Sequence, residues 1–402
     1  MPHYRQLGSI PAKRHIAHRP GGGHKGEGIY YEEVVTVGGF GRAYSIVYHL
    51  RPPTRVTKVE PAGCVPCEFI HQTALRHHHV KSGAMPKAGD PISGRVPIMV
   101  NADVILSRCR PAKPQEELFR NAGADEVLFV HHGKGTLHTM FGPLPFRDGD
   151  YVVIPRTTTY RLVFEGNADL LVIESMGSLT VPPQYVNPDG QIRMGAPYSE
   201  RDFHGPTQIA FVDKDEPTPV VIKDFSPLPS AGEGPGARGA RLTRYIMSQH
   251  PFDVVGWDGM VYPFTFNADD FEPITGKIHQ PPPVHQTFEA PGFVICTFAP
   301  RMLDTHPDAI KVPYAHSNVQ ADEVLYYVRG RFGSRRGVEE ASFTLHPRGI
   351  PHGPHPGTIV ASKDVKFTDE LAVMLDTFQP LLLTKQALEM DDAGYPFSWS
   401  DG

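Results

Sequence analysis

Apolar and polar positions along this chain fall into short runs of strand length rather than into helical stripes. The run IYYEEVVTV, beginning at Ile29, is separated by a Gly-Gly-Phe-Gly turn from AYSIVYHL, and Arg51-Pro52-Pro53 closes the pair. Two strands around a glycine turn account for this segment. Across residues 96–174 strand-like runs recur about every ten residues, as VPIMVNADVILSRC, DEVLFVHHGKGTLHTMF, DYVVIPRT, TYRLVFEG and ADLLVIES, punctuated by Gly, Pro, Asn and Asp. That spacing predicts a β-sandwich or barrel. The pattern lapses into Pro- and Gly-rich text centred on SPLPSAGEGPGARGAR, resumes at Tyr245 and runs to about Phe378. QPLLLTKQALEM is the only clear helical pattern, and a tail follows it. The chain therefore reads as all-β with few short helices. Its parts are an extended arm (1–28), a first barrel (29–175), a connector (176–245), a second barrel (246–380), and a short helix with a tail (381–402).

The two barrels read as copies of one unit. Ala124-Asp125-Glu126-Val127-Leu128-Phe129-Val130 matches Ala321-Asp322-Glu323-Val324-Leu325-Tyr326-Tyr327, and six residues separate each glutamate from a glycine, Gly133 or Gly330. A Pro-Arg pair recurs as Pro155-Arg156 and Pro347-Arg348. The copies differ where chemistry is possible. Opposite His316 the first copy has Phe119, and opposite His352 it has Tyr160. A carboxylate alone holds a divalent transition metal poorly, so the first barrel is expected to be metal-free and structural, the second catalytic.

Composition narrows the class of protein. A net charge of −5 and a pI near 6.5 give no bulk attraction to nucleic acid or to an acidic membrane. No apolar run nears the roughly 18 residues of a membrane span, and the first 20 residues lack the apolar centre of a signal peptide, so a cytoplasmic location is expected. The four cysteines are too few for a disulfide framework in 402 residues. Cys64-Val65-Pro66-Cys67 lacks the context of a zinc or redox site and reads as a solvated loop. His77, His78 and His79 read as a surface cluster, and GGGHKGEG lacks the Lys-Ser or Lys-Thr of a phosphate loop.

The candidate chemistry lies in residues 313–357, which carry His316, Glu323, His346, His352 and His355 among strand-type runs. Two imidazoles and one carboxylate on one face of a metal, with the other positions open, are what non-haem Fe(II) oxygenases require. Strand alternation lets Glu323 point inward while Val324 points out.

His316-x-Asn318-x4-Glu323-x6-Gly330 and Pro347-x-Gly349-x2-His352 resemble the two signature motifs of the cupin superfamily, which are jelly-roll barrels. PFDVVGWDGMVYPFTFNADDF, IHQPPPVHQTF, FAPR, VPYAHSN and LHPRGIPHGP, with GIYYEEV near residue 30 and EVLFVHHGKGTL, resemble the homogentisate 1,2-dioxygenase family over most of the chain. The resemblance implies two cupin-like jelly-roll barrels assembled as homotrimers or homohexamers. It also implies Fe(II)-dependent opening of the homogentisate ring by O2 to maleylacetoacetate, in tyrosine and phenylalanine breakdown. By position it makes His316, Glu323 and His352 the iron ligands. His346 and Arg329, together with His352, become substrate contacts, and His279, in His-x-x-Pro-x-Val, the catalytic base. His355 is expected to support the site from behind.

This chain departs from the family pattern at two places. One residue more than in animal members separates His316 from the glutamate, which leaves Asp322 as a competing ligand beside Glu323. Phe332 stands where the family has a substrate-touching tyrosine. His285 has chemical credentials equal to those of His279 as a base. Competing functions for the same motifs are cleavage of gentisate or a related hydroquinone, a bicupin isomerase or epoxidase, and a non-enzymatic metal-binding bicupin.

Overall fold

A computed structural model of the chain describes residues 3–15, 28–225, 237–335 and 337–400. The fold is all-β: among the described residues the longest α-helix is Lys385–Glu389, and no helix is long and apolar enough to cross a membrane. Two sheets of seven and eight strands make the first barrel, and a six-stranded sheet carries the second. A four-stranded sheet joins Arg5–Gly8, Val254–Gly259, Tyr44–His49 and Tyr31–Thr36.

Alternation within the strands builds two different interiors. In Asp125–His132, Leu128 and Val130 belong to an apolar cluster with Phe119, Val152, Ile154, Tyr160, Leu170 and Val172, which fills the first barrel. Val127 and Phe129, on the opposite face, join a larger cluster with Val324, Tyr326, Phe343, Leu345, Val373 and Leu375 from the second half. The main core thus lies between the two barrels, where their sheets pack face to face. Polar bridges cross it: the Tyr151 hydroxyl meets Thr297 Oγ1 at 2.8 Å, and Tyr326 meets His131 Nδ1 at 3.0 Å.

The second barrel's inward face is not filled in this way. Leu325 and Tyr327 on Asp322–Arg329, with Ala372 and Met374 on Leu371–Thr377, line an open cavity of about 640 Å³.

Strand pairing crosses the boundaries expected from sequence. His78–Val80, from the first half, is the edge strand of the second barrel's sheet, paired with Phe343–His346. Phe264–Asn267 pairs with Asp150–Ile154 of the first barrel, and Leu382–Leu383 with Arg95–Val100. The expected connector contains a long hairpin, Thr218–Phe225 with Ala237–Met247, that completes the seven-stranded sheet; the centre of its Pro/Gly-rich stretch, 226–236, lies outside the described residues. Arg5–Gly8 of the expected arm is a strand, and most of GGGHKGEG lies outside the described residues. Two local readings are corrected. Cys64 and Cys67 belong to the strand Val56–Glu68 rather than to a loop, and His77, His78 and His79 are buried, because their strand is covered by the second barrel.

Candidate metal centre and its cavity

The repeat decides the Asp322 and Glu323 register. Asp322 turns outward and caps backbone amides, accepting from Arg348 N at 3.0 Å and Leu381 N at 2.9 Å. Asp125 does the same in the first barrel, accepting from Arg156 N and Leu179 N at 3.0 Å each. Glu323, on the other face, points inward. Ligand atoms of His316, Glu323 and His352 all lie within 4.8 Å of one another. His316 and His352 face each other across an antiparallel bridge, as Phe119 and Tyr160 do in the first copy.

Hydrogen bonding prepares these groups for a cation. His352 Nδ1 lies 3.2 Å from the Ile350 carbonyl, an acceptor, so the proton sits there and Nε2 keeps its lone pair. That Nε2 is sealed from solvent, has no hydrogen-bond partner, and lies 3.4 Å from Glu323 Oε1. His316 Nε2 is 3.5 Å from Oε2 of the same carboxylate. Burial alone would raise the Glu323 carboxyl, but the imidazoles of His316, His346 and His352 around it hold it well below the usual range. Burial pushes His346 down to about 3, so this neutral ring donates from Nδ1 to Glu323 Oε1 at 2.8 Å and accepts at Nε2 from the Tyr395 hydroxyl at 3.0 Å. A converging anion and two imidazoles, one with an orphaned buried nitrogen, fit a divalent transition metal.

A second carboxylate stands beside them. Asp376 is the cross-strand neighbour of Glu323, on the inward face of Leu371–Thr377, and its Oδ1 is buried without a partner. Burial, then the charge of Glu323, pushes Asp376 up to about 7. In the first barrel the equivalent pair is Glu126 and Glu174. There Arg95 bonds to Glu126, the Tyr160 hydroxyl donates to Glu126 Oε2 at 2.5 Å, and Lys223 meets Glu174 at 2.6 Å. Protein cations occupy the first barrel, whereas in the second no Lys or Arg among the described residues is paired with Glu323 or Asp376.

The expected site residues separate into groups. His279 lines the cavity, its Nδ1 3.9 Å from Asp304 Oδ2 and its ring edge-on to Tyr314. His285 lines it too, packed on Phe298 at 4.5 Å; burial, then Arg301 and His279, push it down to about 3. His346 is fully buried behind Glu323 and does not line the cavity. Arg329 is also away from it: a register shift between Tyr327 and Arg329 breaks the alternation, and Arg329 pairs with Asp269 at the surface. The arginines that do line the cavity are Arg301, Arg331 and Arg335. His355 lies behind the site, its Nε2 3.0 Å from Ser398 Oγ.

Several residues of the site escaped the sequence reading. Asp376 carries no motif, and His77, edge-on to His346 at 5.5 Å, comes from the other half of the chain. The C-terminal segment, expected to be a tail, forms the back wall through Tyr395 and Trp399, whose indole donates to the Gly353 carbonyl at 3.0 Å. Only their distance in sequence hid them; the HHHV run and the aromatic terminus were visible but had no assigned neighbours.

Comparison with known proteins bears on this site. The family model described as homogentisate 1,2-dioxygenase, N-terminal, matches residues 104–268. A "Putative dioxygenase" of Saccharolobus solfataricus is 37% identical over 399 residues, 98% of each chain. The chain belongs to the homogentisate dioxygenase-like family of dioxygenases. Homogentisate 1,2-dioxygenases of Rhodopseudomonas palustris and Nitrobacter hamburgensis are 25% and 27% identical over 69% of this chain, and the matches span 60% of their own length. The family-model match ends before the metal-competent residues of the second barrel. Among solved structures, a cupin 2 conserved barrel domain protein from Leptotrichia buccalis aligns over 81% of this chain and 100% of its own, with 11% identity and a TM-score of 0.32. The oxalate decarboxylase of Bacillus subtilis aligns over 78% of this chain and 80% of its own, with 12% identity and a TM-score of 0.33.

Proposed function

We propose that the protein is an Fe(II)-dependent ring-cleaving dioxygenase that converts homogentisate and O2 to maleylacetoacetate. The observation that carries this reading is the placement of Glu323 between His316 and His352, with His352 Nε2 orphaned, beside a cavity of about 640 Å³. Fe(II) held there would supply the redox chemistry, letting an electron-rich ring react with dioxygen at open coordination positions.

The chain's own groups position the reactants and move the proton. His346 fixes the Glu323 carboxylate through Nδ1, so both oxygens keep their direction. His279 takes the proton of the ring hydroxyl, with Asp304 Oδ2 3.9 Å from its Nδ1. His285 stays neutral and holds the wall against Phe298. Phe298, Leu325, Phe332 and Met374 keep the ring's surroundings dry. Both atoms of O2 enter the product and one ring carbon-carbon bond breaks, so no external reductant is consumed. In this reading the enzyme serves tyrosine and phenylalanine breakdown in the cytoplasm as a homotrimer or homohexamer.

A second reading, cleavage of gentisate or another hydroquinone, is favoured by Phe332, a cavity residue with no polar atom where the family has a tyrosine. Oxygen uptake by protein reconstituted anaerobically with Fe(II) separates the two. Uptake of one O2 per homogentisate supports the first, and uptake with gentisate alone overturns it.

A further inference from the structure

The basic side chains around the cavity are not equally engaged. Arg301 is paired with Glu370 at 2.9 Å, and His279 faces Asp304. Lys311 donates to the backbone carbonyls of Asp304 and His306. Arg335 differs from Arg301 and His279, as the exposed Arg331 does, and of these two Arg335 is the one bonded to the His352 loop. No carboxylate among the described residues lies within ion-pair distance of it. Its Nη1 donates to the carbonyl of Gly353, which follows His352, and weakly to that of Ser334 at 3.4 Å; its guanidinium lies over the Trp399 ring, 5.8 Å from the centroid. Its Nε is sealed from solvent and finds no acceptor.

A guanidinium that lines a cavity, has lost water at Nε and lacks a counter-ion is costly unless an anion joins it. Its fork geometry suits a carboxylate. Gly353 ties it directly to the loop of His352, so an anion held by Arg335 sits next to the metal position. Phe332, edge-on to Tyr327 at 4.6 Å, offers no hydrogen bond to share the task.

We propose that Arg335 receives the carboxylate of the substrate, and that the site takes hydroquinone acids whose ring hydroxyl faces the His316, Glu323 and His352 cluster while the acid group faces Arg335. This rests on the dioxygenase reading for the ring's orientation, but the anion contact is measurable without turnover.

The test is calorimetric titration of oxygen-free, Zn(II)-loaded protein with homogentisate and with its methyl ester. Wild-type protein is expected to bind the acid about 100-fold more tightly than the ester, the scale of a desolvated charge pair. Arg335→Gln should abolish that preference while leaving ester affinity and bound zinc unchanged, and Arg335→Lys should restore part of it. Equal binding of acid and ester by wild-type protein, a preference that survives in Arg335→Gln, or equal loss of both ligands with loss of zinc overturns the assignment. Discrimination as expected, with no oxygen uptake after Fe(II) loading, would strike the dioxygenase reading and leave Arg335 as the carboxylate receptor.

Discussion

Tyr160 donates its hydroxyl to Glu126 in the first barrel at the place where His352 faces Glu323 in the second. The same backbone register thus ends in a closed ion-pair network in one half and an open ligand set in the other. Arg95, bonded to Glu126 and to the Tyr160 hydroxyl, completes the closed version.

Removing one member of that network leaves an uncompensated buried charge. Glu126→Ala should cost about 3–5 kcal/mol of unfolding free energy, read by urea titration, because two buried cations, Arg95 and Lys223, are left to share the single carboxylate of Glu174. Metal content and turnover per folded molecule should stay at the wild-type level, since among the described residues the metal-competent group lies in the second barrel.

His352→Ala should abolish stoichiometric iron binding, measured by metal analysis after anaerobic reconstitution and desalting. His279→Ala should keep the iron and lower kcat by about 10²–10⁴-fold, the usual contribution of a general base. Normal iron binding by both variants would mean that the ligand set is misassigned.

Stability should be sensitive to alkali through His49. Burial alone would lower this imidazole, but its bonds to Asp253 at 2.7 Å and Glu33 at 3.1 Å outweigh it and raise His49 to about 9. The folded form therefore holds its proton more tightly than the unfolded chain does. The stabilisation is complete below about pH 6.5 and is lost as pH rises through about 9, on the order of 3 kcal/mol in all. Chemical denaturation at pH 6, 8 and 9.5 should show this decline, and His49→Gln should flatten it.

His285 works on the acid side. Held down to about 3, chiefly by burial, it binds its proton less readily when folded. That contribution is complete above about pH 6.5 and is lost as pH falls toward 3. His285→Phe should blunt the acid decline between pH 6 and 4 in the same denaturation series.

Gly330 has φ +89°, and a Cβ there would press on the Asp369 carbonyl. Gly330→Ala should cost about 2 kcal/mol or more by denaturant unfolding, because an L side chain is both strained and crowded. Its counterpart Gly133, at φ +116°, meets Asn167 O and should respond alike.

Much of this was legible because it is local. The alternation of Asp125-Glu126-Val127 and of Asp322-Glu323-Val324 sets which side chain faces inward, and both copies obey it. The glycines that end those strands, spaced alike from the two glutamates, both take the left-handed backbone. Contrasting the copies picked His316 and His352 over the other histidines, and the structure brings them together with Glu323. Arg329, expected at the substrate, closes the glutamate strand, but the register shift before it and its pairing with Asp269 carry it to the surface.

Period-two alternation and the repeat needed only the sequence by itself: an all-β chain, two related barrels, one set of metal-competent residues. Tertiary structure alone decided what each carboxylate meets. Cross-strand register puts Asp376 beside Glu323 and Glu174 beside Glu126, and distant segments deliver Arg95 and Lys223 to one pair but only imidazoles to the other. Burial makes that difference matter, because a desolvated carboxylate must find a cation. In the first barrel the chain provides it; beside Glu323 the chain provides imidazoles that fit a divalent metal.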